Sequence, residues 1–158
     1  MSNRQTLSAQ VEKYSDVLPE LAPLYQDHWE ELALDREHYE AALAPRWEDY
    51  RRMDAAGELL VVTLRERGVL AGYFLGLIRP HLHYGLCLTC TMDIYRVLPE
   101  YRGRHGGVRL FRAVEAECRR RGVKRMFMGS KLHKDTSRLF VALGFTPVEV
   151  YHSKWIGD

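Results

Sequence analysis

The segment Val97–Leu110 carries residue types and spacing that suit phosphate binding. It reads Val-Leu-Pro-Glu-Tyr-Arg-Gly-Arg-His-Gly-Gly-Val-Arg-Leu and joins an apolar, strand-like stretch to an amphipathic pattern that predicts a helix from about Gly107. Glycines let a backbone approach a ligand closely and point several N–H groups in one direction. A helix N-terminus adds unpaired donors and partial positive charge, and Arg102 and Arg104 add full charges. The segment is therefore predicted to hold a phosphorylated ligand.

A second cluster, His81-x-His83-x-x-x-Cys87-x-x-Cys90, places four possible zinc ligands within ten residues. Cys87 and Cys90 fall on a predicted strand, where an odd separation points two side chains to opposite faces. Zinc sites of this type usually have their Cys-x-x-Cys pair in a turn. Zinc binding is therefore the lesser alternative for this segment, and packing in the core is the commoner use of a cysteine such as Cys90.

The composition indicates a folded globular protein. The chain has 158 residues, of which 46 % are hydrophobic and 28 % charged, and we predict a single domain over residues 1–158. A net charge of +2 does not favour a nucleic-acid partner, and three cysteines do not form a disulfide framework. The first residues lack the apolar core of a signal peptide, and the longest apolar run, Val69–Ile78, is shorter than the ~20 residues that span a bilayer. We therefore expect a cytoplasmic protein with no membrane partner.

Hydrophobic spacing predicts the elements that position these residues. The expected helices cover 18–34, 36–56 with an interruption at Pro45, a stretch from about 107 to Gly122, and 135–143 with Asp135 as N-cap. The expected strands cover 7–14, 58–66, 69–79, 87–97, 123–128 and 148–156. This order, β-α-α-β-β-β-α-β-α-β, predicts a mixed α/β (α+β) fold.

The loop and the C-terminal region resemble the GNAT acyl-CoA N-acyltransferases. Arg102-Gly-Arg-His105-Gly-Gly107 is similar to the family pattern Arg/Gln-x-x-Gly-x-Gly/Ala, with His105 in the place of the middle glycine, and Ser137–Phe145 is similar to the ending Leu-Tyr-x-x-Leu-Gly-Phe. The order of elements also fits, so the resemblance covers most of the chain. It implies a central, mostly antiparallel sheet, flanked by helices, with a V-shaped split between its two middle strands.

The resemblance also implies an acetyl-CoA-dependent N-acetyltransferase that acts by direct transfer to a primary amine in a ternary complex. It implies no metal, a small-molecule or peptide amine as acceptor, and a possible homodimer. Main-chain groups of the strand would hold the pantetheine arm and the loop would hold the pyrophosphate. The residues so assigned to acetyl-CoA are Tyr95, Arg96, Val97, Arg102, Gly103, Arg104, His105, Gly106, Gly107, Val108, His133 and Phe140.

Within this resemblance, Asp93 and Tyr95 are the predicted catalytic residues. An amine acceptor must lose a proton, and Asp93 lies on the strand that borders the acceptor site in the family. Simple alternation places Asp93 and Tyr95 on one strand face. Phe140 occupies the position where the family usually has a tyrosine, and it cannot donate a proton, so Tyr95 is the predicted general acid, with Tyr151 or a water as alternatives. An ion pair with an arginine is the structural alternative for Asp93.

Two further features remain open from the sequence. Aromatic and acidic residues between 18 and 56 suggest a cationic acceptor, although solvated helix faces explain the charges equally well; they are Trp29, Glu30, Glu31, Asp35, Glu37, Tyr39, Trp47 and Tyr50. The run Arg119–Arg121 suits either a solvated helix end or the 3′-phosphate of the cofactor. The rival functions are a non-catalytic acyl-CoA-binding sensor or partner-binding module, and a basic nucleic-acid- or zinc-binding protein.

Overall fold

A five-stranded sheet forms the centre of the fold. The computed structural model describes residues 6–34 and 43–157. The strands follow one another in space as they do in the chain, with antiparallel neighbours except for the last pair, which is parallel. They are β1 (Ser8–Val11), β2 (Leu59–Glu66), β3 (Val69–Pro80), β4 (Leu88–Val97) and β5 (Arg125–Phe127). The predicted mixed α/β fold with a mostly antiparallel sheet is confirmed.

Helices cover both faces of this sheet. They are α1 (Tyr14–Leu32), α2 (Trp47–Ala55), α3 (Gly106–Arg120) and α4 (Ser137–Ala142), with a 3₁₀ turn at Pro99–Tyr101. One core lies between the sheet and α1 and α2, and the other lies between the sheet and α3 and α4. Because both faces of β2 and β3 are covered, these strands read as continuous apolar runs rather than as alternating ones.

Helix α1 begins earlier than its sequence predicts. The expected start was residue 18, whereas the helix begins at Tyr14. The backbone N–H of Tyr14 donates to the carboxylate of Asp54, at 3.1 Å, on α2. A cap supplied from 40 residues away leaves no local signal at the helix start. The predicted helix over 36–56 is confirmed only as α2, directly after Pro45; residues 35–42 lie outside the described residues.

Strand β4 contains a β-bulge at Asp93. Leu75 of β3 lies opposite Ile94 and the next residue, Gly76, lies opposite Met92, so Asp93 is an extra residue on β4. A bulge shifts the alternation of side chains by one position. Met92 and Tyr95 therefore pack in the α3 core, whereas Ile94 packs in the α1–α2 core. The expectation that Asp93 and Tyr95 share a strand face is wrong for this reason.

The C-terminal segment differs most from expectation. A strand is predicted over 148–156, but these residues form no strand and are exposed. Val148, Val150, Tyr151 and Ile156 are among the large apolar side chains at the surface. A strand exists only when its backbone pairs with a neighbouring edge, and apolar alternation does not supply that edge. As a consequence, β5 is the edge strand of the described sheet.

Candidate active site

A cleft of about 2070 Å³ opens where the pairing of β4 with β5 ends. The two strands pair over three positions, from Thr89 with Arg125 to Thr91 with Phe127, while β4 continues to Val97. In the described part of the chain, no strand pairs with this edge of β4 beyond Thr91. The cleft is lined by β4, the start of α3, α4, the end of α1 and residues 43–50. The cleft thus lies between the last two strands of the described sheet, whereas the V-shaped split was predicted between its two middle strands.

The loop before α3 presents backbone N–H groups at one end of this cleft. Gly103 and His105 both adopt left-handed conformations, with φ of 74° and 57° respectively, and α3 begins at Gly106. Left-handed turns that lead into a helix N-terminus form anion-binding concavities. His105 therefore takes the conformation that the usual glycine would take. That conformation costs a non-glycine residue about 1–2 kcal/mol, and histidine is among the residues that adopt it more often.

The two arginines of the loop are ion-paired. Arg102 donates from Nε to the carbonyl of Val97, at 2.9 Å, and from its terminal nitrogen to both carboxylate oxygens of Glu31, at 2.6 and 2.9 Å. Arg104 pairs with Glu66 at 2.5 Å and lies over the ring of Tyr101. Arg102 lines the cleft, but Arg104 is directed away from it towards β2. Of the residues predicted to bind acetyl-CoA, all except Arg104 line the cleft.

Glu31 links helix α1 to the loop before α3. It lies on α1 and accepts hydrogen bonds from Arg96 on β4 as well as from Arg102. Burial alone would raise the pKa of Glu31, but the hydrogen bonds and charges of Arg102 and Arg96 outweigh it and hold that pKa below its ordinary value. Glu31 therefore stays charged and connects α1 to β4 and to the loop, so it is not a candidate base.

Asp93 is held by a tyrosine from a different element. The hydroxyl of Tyr50, on α2, donates to Oδ2 of Asp93 at 2.5 Å. Burial and this hydrogen bond raise the pKa of Tyr50 above its ordinary value, so the phenol stays protonated and remains a donor. Both residues line the cleft, and Asp93 is exposed to it. The carboxylate is thus fixed in orientation and open to a ligand.

Tyr95 lies on the other face of β4. Its ring packs between Phe111 and Phe140, at 5.0 and 6.0 Å between ring centroids, and its hydroxyl lies 2.5 Å from Thr136 Oγ1. Burial raises the pKa of Tyr95. The phenol is therefore protonated at neutral pH.

A chain of hydroxyls continues from Tyr95 to a carboxylate. Ser130 donates to Asp135 at 2.9 Å and accepts from the backbone N–H of Thr136 at 2.7 Å. Because Ser130 has a single proton, the Thr136 hydroxyl donates to Ser130, at 3.3 Å, and the Tyr95 hydroxyl donates to Thr136. Asp135 also accepts from the N–H of Ser137, the first residue of α4, close to the N-cap role predicted for it.

Phe140 and His133 both line the cleft, but Phe140 is buried and His133 is exposed. Phe140 is buried and packs edge-on against Phe111 and Phe145, at 5.0 and 5.7 Å, while its side chain lines the cleft. His133 lies in the exposed segment between β5 and α4 and also lines the cleft. The ring of Phe140 thus lies next to that of Tyr95.

The three arginines at the end of α3 form ion pairs, and Arg119 also lines the cleft. Arg119 pairs with Glu115, and both Arg120 and Arg121 pair with Glu117. The hydrogen bond from Arg120 is the main cause that lowers the pKa of Glu117 to about 2, and the hydrogen bond from Arg121 adds to it. Cys90 is fully buried, whereas the other possible zinc ligands lie in or beside the exposed loop that holds His81 and His83. Among the described residues, no group of three or more potential metal ligands converges.

Sequence reasoning missed the pairings that organise this site. The partners Tyr50 and Asp93 are 43 residues apart, and Glu31 and Arg102 are 71 apart. Neither pair has a local pattern, because each depends on the packing of α1 and α2 on the sheet. A run of aromatic residues in 18–56 was the available signal, and it indicated the region rather than the partner.

The chain belongs to the Acetyltransferase (GNAT) family, whose profile matches residues 18–145. Solved structures with the same fold include a GCN5-related N-acetyltransferase from Ralstonia eutropha JMP134, with 19 % identity, a TM-score of 0.75, and coverage of 96 % of this chain and 99 % of that one. Another is a ribosomal-protein-alanine N-acetyltransferase from Brucella melitensis biovar Abortus 2308, with 16 % identity, a TM-score of 0.67, and coverage of 97 % and 99 %.

A third structure, AAC(6')-Iy, is in complex with a bisubstrate analog, CoA-S-monomethyl-acetylneamine. It has 20 % identity, a TM-score of 0.68, and coverage of 96 % of this chain and 99 % of that one. At such identities the likeness concerns the fold. A search of curated proteins finds no significant match.

Proposed function

We propose that this protein transfers an acetyl group from acetyl-CoA to a primary amine by direct attack in a ternary complex. One observation carries the proposal: the left-handed turn at Gly103 and His105 opens into the same cleft as the carboxylate of Asp93, which Tyr50 holds in place. The first is a site for a diphosphate and the second is a site for an amine. Membership of the family supports both assignments.

The residues around the turn fit coenzyme A. The N–H groups of Gly103–Val108 would hold the pyrophosphate, and the unpaired edge of β4 at Tyr95 and Arg96 offers main-chain groups for the pantetheine arm. A Cβ on Gly107 would lie 3.0 Å from the side chain of Leu139, so glycine keeps α3 and α4 close together at this point. Acetyl-CoA, when bound, supplies an activated acetyl thioester.

Asp93 is the proposed base. An ammonium has no lone pair, and a lysine-like amine has an unperturbed pKa of about 10.4, so the acceptor must give up a proton during attack. Asp93 attracts the ammonium and accepts that proton directly or through a water. The amine nitrogen forms the new C–N bond as the C–S bond breaks, and the electron pair leaves with sulfur.

Tyr95 is the proposed proton donor to the departing thiolate. Its proton is directed at Thr136 in the structure, so donation requires the hydroxyl to rotate about its C–O bond. A replacement proton can reach Tyr95 through Thr136 and Ser130 only if both hydroxyls reverse their donation, with the new proton entering from water at the cleft surface. A thiolate is already a good leaving group, so loss of the Tyr95 hydroxyl is expected to slow turnover less than loss of Asp93.

Isothermal calorimetry with coenzyme A and an acetyl-transfer assay across an amine panel test the proposal. We expect micromolar-range binding of coenzyme A, and Asp93→Asn to lower turnover by about 10²–10⁴-fold with cofactor affinity nearly intact. Asp27→Asn, an exposed carboxylate on α1 outside the cleft, is the matched control. No binding at millimolar coenzyme A would overturn the proposal, and binding without transfer to any amine would indicate an acyl-CoA-binding module instead.

The organisation of the chain forms part of the same proposal. We propose a single acyltransferase domain over residues 1–158, a cytoplasmic location and a homodimer. No described helix is long and apolar enough to cross a membrane. Limited proteolysis tests the domain, and light scattering at several concentrations tests the dimer.

A further inference from the structure

The acceptor half of the cleft has apolar and aromatic walls. It is bounded by the last turns of α1, residues 43–50 and the face of β4 that carries Asp93. Tyr25 stacks on Trp47 at 5.2 Å between ring centroids, and Leu34 is 58 % exposed at the rim. The apolar lining residues are Tyr25, Trp29, Leu32, Leu34, Leu43 and Pro45.

The charges in this half are few and mostly neutralised. Two guanidinium groups, those of Arg96 and Arg102, bind the carboxylate of Glu31. Burial lowers the pKa of His28 to about 4, so its ring is neutral at pH 7. On this side of the cleft, within residues 6–34 and 43–157, Asp93 is the one lining carboxylate that no guanidinium binds.

We infer that the acceptor is a small primary amine with one positive charge on an apolar or aromatic body. This inference rests on the proposed acetyltransferase activity and names its substrate class. Asp93 balances one ammonium, and the body of the amine replaces water against Tyr25 and the leucines. Against the described walls, a second ammonium would meet apolar side chains and the net positive charge that Arg96 and Arg102 keep beside Glu31, and this desolvation without a counter-charge is costly.

Steady-state acetylation of four probes tests the substrate class. We expect kcat/KM for 2-phenylethylamine and hexylamine to exceed that for spermidine and kanamycin at least about tenfold, which is the ratio that about 1.4 kcal/mol of differential binding produces. Raising the ionic strength should narrow the difference between the polycations and the apolar amines, because salt screens the repulsion of a second ammonium by Arg96 and Arg102 but not the burial of an apolar body.

A designed carboxylate in the wall provides the second measurement. Leu34→Glu adds a charge at an exposed rim position, and it should raise the relative efficiency with spermidine by about two- to fivefold, as expected for one exposed ion pair. Leu82→Glu is the matched control, because Leu82 is 97 % exposed in the 81–87 loop outside the cleft. The control should leave the ratio of spermidine to 2-phenylethylamine unchanged.

The outcomes separate this inference from the proposed function. Coenzyme A binding, together with equal or better acetylation of spermidine or kanamycin, overturns the substrate class but keeps the acetyltransferase. Coenzyme A binding with transfer to peptides but to neither apolar amine also overturns it. Absence of coenzyme A binding overturns the proposed function itself.

Discussion

At the scale of single residues, the site depends on how one carboxylate is held. Asp93 extends from a bulge into the cleft, and the Tyr50 hydroxyl fixes one of its oxygens. A carboxylate free to rotate would spend less time aimed at an amine, so we propose that the Tyr50 phenol is a positioning residue. The sequence identified Asp93 from its place in a strand, but it could not identify its partner on a helix that packs there only in the folded chain.

Tyr50→Phe should therefore lower kcat by about tenfold, the effect of losing a hydrogen bond of about 1.5 kcal/mol to a charged group. KM for acetyl-CoA should stay the same, because Tyr50 lies on the acceptor side of the cleft. Tyr84→Phe, at an exposed tyrosine of the 81–87 loop, is the control. A raised KM for acetyl-CoA with unchanged kcat would refute the positioning role.

His105 is the second residue whose role concerns backbone geometry. Because the φ of His105 is 57°, His105→Gly should increase the free energy of unfolding by up to about 1 kcal/mol. The substitution removes the cost of the left-handed conformation, but the greater freedom of glycine in the unfolded chain offsets part of this gain. Thermal unfolding should show a rise of a few degrees. His105→Ala keeps a Cβ and should give no such rise, so equal melting temperatures for the two variants would contradict the explanation.

At the scale of elements, close contact between β3 and β4 sets the position of the cofactor edge. A Cβ on Gly72 would lie 2.7 Å from the carbonyl oxygen of Arg96 and 3.3 Å from Cα of Val97. These are the residues proposed to face the pantetheine arm. The bounds of both strands were predicted within two residues, because their apolar runs and the Arg67-Gly68 turn are local signals. The close contact between Gly72 and Arg96 was not predicted, because it joins residues that are distant in the sequence.

Gly72→Ala should accordingly destabilise the protein by about 1–3 kcal/mol and weaken coenzyme A binding, because the carbonyl in its way belongs to the backbone and cannot rotate aside. Chemical denaturation and calorimetry measure the two effects. Gly85→Ala is the matched control, since nothing lies within 4 Å of its added Cβ. Equal stability of the two variants would show that β4 can shift at no cost.

At the scale of the whole molecule, a buried histidine makes the stability of the fold depend on pH. His28 is buried in the α1 side and bonds Tyr73 through Nδ1 at 2.7 Å. Its pKa of about 4 lies below the ordinary 6.5, so the unfolded chain takes up a proton first as the pH falls. The lowered pKa values of Glu12, Glu31 and Glu117 act only below their ordinary 4.5.

The free energy of unfolding should therefore decline from about pH 6.5 downward, by at most about 3 kcal/mol when pH 4 is reached. His28→Gln should flatten the decline between about pH 6.5 and 4.5, whatever it does to stability at pH 7. His152→Gln, at an exposed histidine, is the control. Denaturant titrations at several pH values measure the slope, and an unchanged slope in His28→Gln would exclude this origin.

The order of elements was predictable because periodicity and turn residues are local. The boundaries that failed are those fixed by other elements: the start of α1, which Asp54 caps, and the segment 148–156, which lacks a partner strand. The loop from Arg102 to Gly107 lies between β4 and α3 as predicted, and its role in binding stays a prediction. The direction of the Arg104 side chain could not be predicted, because Arg104 pairs with Glu66 on β2, away from the cleft.

The bulge at Asp93 adds one residue to strand β4 without disturbing the pairing on either side of it. Removal of Asp93 would leave Met92, Ile94 and Tyr95 in simple alternation opposite β3, so both cores would keep their residues while the cleft would lose its carboxylate. A substitution at the same place alters one side chain only. The extra residue is thus the feature that places the proposed base and the proposed proton donor on separate walls of one cleft.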